Sequence, residues 1–247
     1  MLQSGPESRR PAGLHVAIIM DGNARWADLR RKPRAAGYRA GANSVKKVVR
    51  AAPPIGIGTL TLFALSAQSL DRPDDETYDI LDLIKSYLLE DMDEIAERGV
   101  RLEVIGRRDR IDDDLLEMLE FAEKLTAGGT KLHVRLAIDY SARDAIVGAA
   151  RRFHVTQALG GGREGFASLL CQSKAGVERV PDVDLLIRCG GEQRLSDFLL
   201  WECAHAEIVF TKRLWPDFDS VALRRALIAH RARARRLAAL REKAKAG

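Results

Sequence analysis

The chain has 247 residues, 46% of them apolar, with a formal net charge of +5, so it can bury a substantial core and is not mainly disordered. No apolar run approaches the roughly 20 residues that cross a bilayer, and the opening MLQSGPESRRPAG lacks the apolar stretch of a secretory leader, so a soluble, cytoplasmic protein is expected. Cys171, Cys189 and Cys203 show no C-x-x-C spacing, which predicts reduced thiols rather than a disulfide framework or a zinc site.

The run HVAIIM over 15–20 reads as a buried parallel strand ending in Asp21-Gly22, with a helix to follow. Val45, Val48, Val49 and Ala52 share one face at helical spacing over 42–52, and Pro53-Pro54 stops that helix. Residues 59–65 read as a second buried strand. After Arg72-Pro73, the positions Ile80, Leu81, Ile84, Tyr87, Leu88 and Met92 form one stripe of a long helix that Gly99 ends. A strand over 101–105, a helix over 112–125, a strand over 132–138 and a helix over 143–153 come next, and a short strand over 185–187 opens into Arg188. This alternation predicts an α/β fold: a single domain with a mainly parallel central sheet flanked by helices. The expected division is a flexible segment over 1–14, one catalytic domain over 15–240 and a basic tail over 241–247.

Ligands of open parallel sheets bind beyond the carboxyl ends of the strands. Asp21, Asn23, Arg25 and Arg34 follow the first strand, Ser66, Gln68 and Arg72 the second, and Arg188, Glu192, Arg194 and Ser196 the last. Singly, an Asp-Gly is commonly a turn and an arginine a solvated charge, and Trp26, Trp201 and Trp215 read as core or groove wall. As a set, the carboxylates, guanidinium forks and hydroxyls are what a magnesium-bound diphosphate needs. No P-loop, G-x-G-x-x-G, G-x-S-x-G or H-E-x-x-H is present, and the five histidines lack metal-ligand spacing. Aromatics at 6% and the absence of zinc-finger or RNP motifs argue against nucleic acid as a partner.

The stretches HVAIIMDGNARW, PRAAGYRAG, TLTLFALSAQSLDRP and DVDLLIRCGGEQRLSDFLLWECAHAEIVFTKRLWPDF, spread from His15 to Phe218, resemble the cis-prenyltransferase family, the undecaprenyl diphosphate synthase-like isoprenyl transferases. The resemblance implies condensation of isopentenyl diphosphate onto an allylic diphosphate of the geranyl or farnesyl class, with Mg2+, to form a Z double bond. It also implies a homodimer, a hydrophobic substrate tunnel beside the parallel sheet, and a lipid product that would bring the protein to a membrane surface. By position, Asp21 matches the family's essential acid and, with Asn23 and Ser66, the catalytic set. Gly22, Ala24, Arg25, Trp26, Arg34 and Tyr38 match the first diphosphate site, and Gln68, Leu70 and Arg72 the loop lying over both substrates. Arg188, Arg194 and Ser196 match the clamp for isopentenyl diphosphate. Glu207 matches a second metal-binding acid that approaches from the partner site.

The departures sit inside these motifs. Ala24 stands where the family has glycine, Tyr38 where it has histidine and Cys189 where it has threonine. Gln68, Ser69 and Leu70 replace an acid, an amide and an aromatic, and Leu65 replaces a second aromatic. Asp197 replaces asparagine and adds a negative charge that opposes anion binding unless paired. Ala64 leaves room at the tunnel entrance, and Ile80, Ile84, Tyr87 and Leu88 suit either its wall or a plain core face. The leading expectation is an enzyme making a short or medium Z-isoprenyl diphosphate, or one of altered regiochemistry. The alternatives are a housekeeping undecaprenyl diphosphate synthase and a catalytically silent partner subunit. Retention of Asp21, Arg188, Arg194 and Glu207 favours an enzyme.

Overall fold

The computed structural model describes residues 13–71, 75–155, 162–170 and 180–246. Arg72 and Cys171, singled out above, lie outside them. The apolar runs form strands β1 (Leu14–Ile19), β2 (Ile57–Phe63), β3 (Val100–Ile105), β4 (Leu132–Ala137) and β5 (Leu185–Arg188), joined by an unpredicted β6 (Glu207–Phe210). All six pair in parallel in the order β3-β4-β2-β1-β5-β6. Leu60 and Leu62 pack on one face of the sheet, while Ala17, Ile19 and Ala137 pack on the other. Burial on both faces is why β1 carries the apolar run VAII and why even Thr59 and Thr61 of β2 are buried.

The helices are α1 (Asn23–Leu29), α2 (Arg34–Ala51), α3 (Ala67–Asp71), α4 (Asp75–Glu97), α5 (Asp113–Leu125), α6 (Ala142–Val155), α7 (Arg163–Leu170) and α8 (Ser220–Ala246). α2 begins eight residues before the apolar periodicity, because Pro33 at φ −56° starts it while Arg34–Gly41 carry no apolar stripe. Asp112 caps α5, its side chain accepting from Leu115 N at 3.0 Å. Gly99, at φ +71°, ends α4. At the ends of the expected catalytic domain, Leu14 already lies in β1 and α8 runs on through Ala246.

The second face of the sheet also carries a polar stripe. His15 Nε2 meets Thr61 Oγ1 at 2.8 Å, its Nδ1 meets Pro181 O at 2.8 Å, and Arg135 Nε donates to Glu103 Oε2 at 3.0 Å. Burial, reinforced by the Arg135 charge, pulls the His15 imidazole down to about 3. Burial alone would raise the Glu103 carboxyl, but Arg135 and His133 outweigh it and hold the group at about 2. These groups are core histidines and a core ion pair, as the lack of metal spacing predicts.

Candidate active site

Strand order reverses between β1 and β5, and their carboxyl ends lie side by side, with Ile19 in register with Arg188. There two residues 167 positions apart meet: Arg188 Nη2 donates to Asp21 Oδ2 at 3.0 Å. Arg188 is only 3% exposed. Its Nη1 donates to Arg194 O at 2.6 Å and to Ser196 Oγ at 2.7 Å, so the guanidinium is a fixed charge that also holds the following loop. Arg25 completes the group, with Nη2 donating to Asp21 Oδ1 at 3.3 Å and Nη1 to Gly190 O at 2.7 Å. Gly190 sits at φ +84°, a conformation that favours glycine, and a Cβ there would fall 2.6 Å from Arg25 Nη2 and push the guanidinium aside. One half-exposed carboxylate between two guanidiniums leaves a positive surplus suited to a polyanion.

The loop after β5 holds Ser196, Asp197 and Leu199 at φ +51°, +60° and +46°, conformations that cost about 1–3 kcal/mol each. It is fixed from two sides. Arg188 grips Arg194 and Ser196, while Asp197 accepts from Ser141 Oγ at 2.6 Å and from Arg143 N at 3.0 Å. The Asp197 carboxylate thus serves as the capping group at the amino end of α6, where negative charge is favoured. Arg194, 65% exposed at its side chain, stands at the rim and pairs with Glu192 at 2.6 Å.

Arg34 and Tyr38, on the first two turns of α2, are also brought together, but by a residue the sequence reading did not single out. Glu76 of α4 forms an ion pair with Arg34 and accepts from Tyr38 OH at 2.7 Å. The Glu76 charge raises Arg34 above the usual arginine range. Nothing in the acidic run around Glu76 distinguishes it from its neighbours, so only the packing of α4 beside α2 could reveal it. Ala24 lies inside α1 and is not among the positive-φ residues, so replacing glycine there brings no backbone strain. Gly22, at φ +109°, is the N-cap. Trp26 donates from Nε1 to Asp217 Oδ1 at 2.8 Å under the Arg30 guanidinium and does not line the cavity.

The altered loop is the short helix α3. Ser66 caps it, accepting from Ser69 N at 3.2 Å. Gln68 is exposed and Leu70 packs partly on the main core. Arg110 ties the helix down through Asp71, the Ala67 carbonyl and buried Asp139. No hydrogen bond among the described residues links Ser66 or Gln68 to the Asp21 group.

Glu207 is not brought to Asp21 within one chain. It opens β6 in register with Leu185, at the opposite end of β5 from Arg188. Its carboxylate is held by His230 Nδ1 at 2.9 Å and by Arg233. Burial would raise that carboxyl, but Arg233 and His230 hold it below its ordinary range. Among the described residues no cluster of three His, Cys, Asp or Glu could hold a metal. Asn23 Oδ1, however, is buried without a hydrogen-bond partner. That oxygen is packed against Gly41, 2.3 Å from where a Cβ there would stand, so the half-exposed Asp21 carboxylate is the group that fits a hard cation taking most of its ligands from substrate phosphate and water. Cys189 adjoins the group, but burial, aided by the Asp21 charge, pushes its thiol up to about 12, so it is no nucleophile.

Behind the charges a cavity of about 220 Å³ runs between α2, α4 and the sheet. Asn23, Tyr38 and Ala64 stand at one end, Arg98 and Val100 at the other, and Val45, Leu62, Ile84, Leu88 and Leu136 form its apolar wall. Ile80, Ile84 and Leu88 line this cavity while also packing in or against the main core, and Tyr87 joins the lining.

Residues 19–238 match the family model described as "Putative undecaprenyl diphosphate synthase". The chain is 47% identical to isoprenyl transferase 1 of Bradyrhizobium diazoefficiens, an alignment covering 97% of this chain and 94% of the relative. It is 41% identical to the isoprenyl transferase of Agrobacterium fabrum, over 92% and 93% of the two chains. Among solved structures it resembles lavandulyl diphosphate synthase from Lavandula x intermedia in complex with dimethylallyl diphosphate, with a TM-score of 0.81 and 33% identity over 89% of this chain and 95% of that one. It also resembles a "probable undecaprenyl diphosphate synthase" from Campylobacter jejuni, with a TM-score of 0.74 and 32% identity over 89% and 95%.

Proposed function

From the premise that the chain belongs to the undecaprenyl diphosphate synthase family and is a cis-prenyltransferase enzyme, we propose that it condenses isopentenyl diphosphate with a geranyl- or farnesyl-class allylic diphosphate to a Z-isoprenyl diphosphate of short or medium length. The observation that carries this reading is the Asp21–Arg188 link, flanked by Arg25, at the mouth of an apolar cavity. It pairs a polyanion site with an apolar sleeve.

In this reading the allylic diphosphate lies against Arg25, Arg34 and the start of α1, with its prenyl tail in the cavity. Isopentenyl diphosphate is held by Arg188, Arg194 and Ser196. The allylic carbon–oxygen bond ionises, the isopentenyl double bond attacks the allylic carbon, and a proton is lost. The arginines stabilise the departing diphosphate, and the apolar wall keeps water from the cationic carbon. Mg2+, held by Asp21 with Asn23 nearby, would neutralise charge on the diphosphate oxygens. Substrate binding must displace Glu76 from Arg34, so Glu76 holds that arginine until the diphosphate arrives.

A homodimer is part of the proposal. β6 is an edge strand whose Ile208 and Phe210 are each 39% exposed, a face that a second copy would cover. No helix among the described residues is long and apolar enough to cross a membrane, which supports a cytoplasmic enzyme whose product is drawn to the membrane. Altered regiochemistry is kept as a second reading because of the likeness to lavandulyl diphosphate synthase. The test is incubation with labelled isopentenyl diphosphate, Mg2+ and allylic primers of several lengths, followed by chromatography. Z-products shorter than undecaprenyl are expected, a branched product would select the second reading, and no product from any primer would overturn the proposal.

A further inference from the structure

The turn that follows β4 is shared by three segments of the chain. Asp139, at φ +50°, bends it, and the carboxylate of that residue is fully buried. Arg107 N donates to Asp139 O at 3.1 Å and Ile138 N to Ile105 O at 3.0 Å, which seats the turn on the end of β3. A second set of bonds reaches α3: Tyr140 N donates to Leu65 O at 3.2 Å, and Ala67 N to Tyr140 O at 3.0 Å. A third reaches the loop after β5, where Ser141 Oγ donates to Asp197 Oδ2 and Ala142 N to Asp197 O. The helix that Ser66 caps and the loop that Arg188 grips are therefore mounted on the same five residues, 138–142.

Arg110 closes this mount. Its Nε donates to Asp139 Oδ2 at 2.9 Å, and its Nη2 donates to Asp139 Oδ1. Nη2 also donates to Ala67 O at 3.2 Å, and Nη1 to Asp71 Oδ1 at 2.6 Å. One planar fork thus joins the buried turn to the first and last residues of α3 (Ala67–Asp71). The bonds to Asp139, then those to Asp71, hold Arg110 above the usual arginine range, so the fork stays charged. A single helical turn is too short to hold itself together in water, so α3 depends on such outside anchors. Among the described residues Arg110 forms no hydrogen bond with Asp21, Arg25 or Arg188.

We propose that Arg110 is a positioning residue for prenyl transfer: it fixes α3 to the turn that also mounts the Arg188-gripped loop, keeping Ser66 in register with the isopentenyl diphosphate clamp. This deepens the prenyltransferase reading and rests on it. Misplacing reacting groups by about 1 Å can cost on the order of a hundredfold in rate. The loss belongs in kcat, because the arginines that bind the diphosphates keep their own supports.

Two variants test the anchorage. Asp71→Asn weakens one arm of the fork at a side chain that is 61% exposed, so the melting temperature should not change. Arg110→Gln with Asp139→Asn leaves no buried charge unpaired, and asparagine tolerates the left-handed conformation at 139. In steady-state rates kcat should fall about threefold in the first variant and about tenfold or more in the second, with both diphosphate KM values within about threefold of wild type. Hydrogen exchange without substrate, read by mass spectrometry, should quicken over 66–71 in both variants and stay at wild-type rates in β2 and β4. A kcat within about twofold of wild type in the double variant, or unchanged exchange over 66–71, would overturn the positioning role. So would a loss of kcat accompanied by faster exchange throughout the sheet, which is the mark of a merely structural residue. Faster exchange confined to 66–71, with no product from the wild type on any primer, would leave the anchorage standing and overturn the prenyltransferase reading.

Discussion

Arg188→Lys is the sharpest test of the site. Arg188 bridges two structures at once, donating from Nη1 to Arg194 O and Ser196 Oγ and from Nη2 to Asp21 Oδ2. A lysine keeps the charge but has one nitrogen and no planar fork, so it can serve the loop or Asp21 but not both. Hydrogen bonds to charged groups contribute about 1.5–3 kcal/mol each. Losing two of the three, partly offset by the retained charge, is worth about 4 kcal/mol, or about a thousandfold in kcat/KM at 1.36 kcal/mol per decade. Most of the loss should appear in the KM for isopentenyl diphosphate, because the released segment carries Arg194 and Ser196, while the allylic KM moves less. The same variant should become susceptible to proteolysis within 190–199, where the left-handed residues lose their restraint. Initial rates with labelled isopentenyl diphosphate at varied concentrations of each substrate, alongside limited proteolysis, provide the measurement. A kcat/KM within about threefold of wild type, or an unchanged digestion pattern, would refute the reasoning.

Asp21→Ala should fold normally yet lower turnover by about a hundredfold or more, near 3 kcal/mol, with a weakened response to added Mg2+ in rate measurements. Arg194→Ala should raise the KM for isopentenyl diphosphate about tenfold and leave the allylic KM nearly unchanged, because an exposed arginine makes a local contact. Gln68→Glu, Ser69→Asn and Leu70→Trp together should raise turnover or shift the product distribution on chromatography. Adding Leu65→Phe should instead lower the melting temperature, since Leu65 is buried and overpacking costs about 1–3 kcal/mol. Acid should destabilise the fold through His15, which stays neutral in the native state with its pKa lowered from 6.5 to about 3. Below pH 6.5 only the unfolded chain takes up that proton, so stability falls with decreasing pH, by about 2 kcal/mol between pH 6.5 and 5. Urea titrations at several pH values should show this slope in the wild type and a flatter one in His15→Gln, while Glu103 contributes only below about pH 4.5.

The strands were legible from the apolar runs of β1 and β5 and from the alternating apolar residues of β2, β3 and β4, and with them came the end of the sheet where Asp21 and Arg188 meet. β6 was not legible: its four residues alternate between half-buried and exposed, and its identity as a strand depends on pairing with β5. The start of α2 was hidden for a related reason, since the residues its first turns bury are Gly37, Tyr38 and Gly41, which show no apolar periodicity in the sequence. The pairing of Asp197 was not legible because sequence does not show that Ser141 and the backbone of Arg143 would meet it. Glu76 looks like an ordinary surface charge until α4 is placed beside α2. Chemistry arising from one strand end and the turn after it could be read from the sequence, whereas groups depending on helix–helix packing could not.

The position of β5 has a consequence for how the protein is made. The first four strands assemble as a continuous block, β3-β4-β2-β1, and are complete once synthesis has passed Ala137. One flank of that block is β1 itself, a run of apolar residues with unpaired backbone groups until Leu185–Arg188 arrives. A nascent chain in this interval exposes an adhesive edge while lacking half of the Asp21–Arg188 group. The docking event that silences the edge is also the one that delivers Arg188 to Asp21. Enzymatic competence and protection from aggregation are therefore acquired together, late in translation, so a ribosome stalled before residue 185 should release an inactive and insoluble fragment.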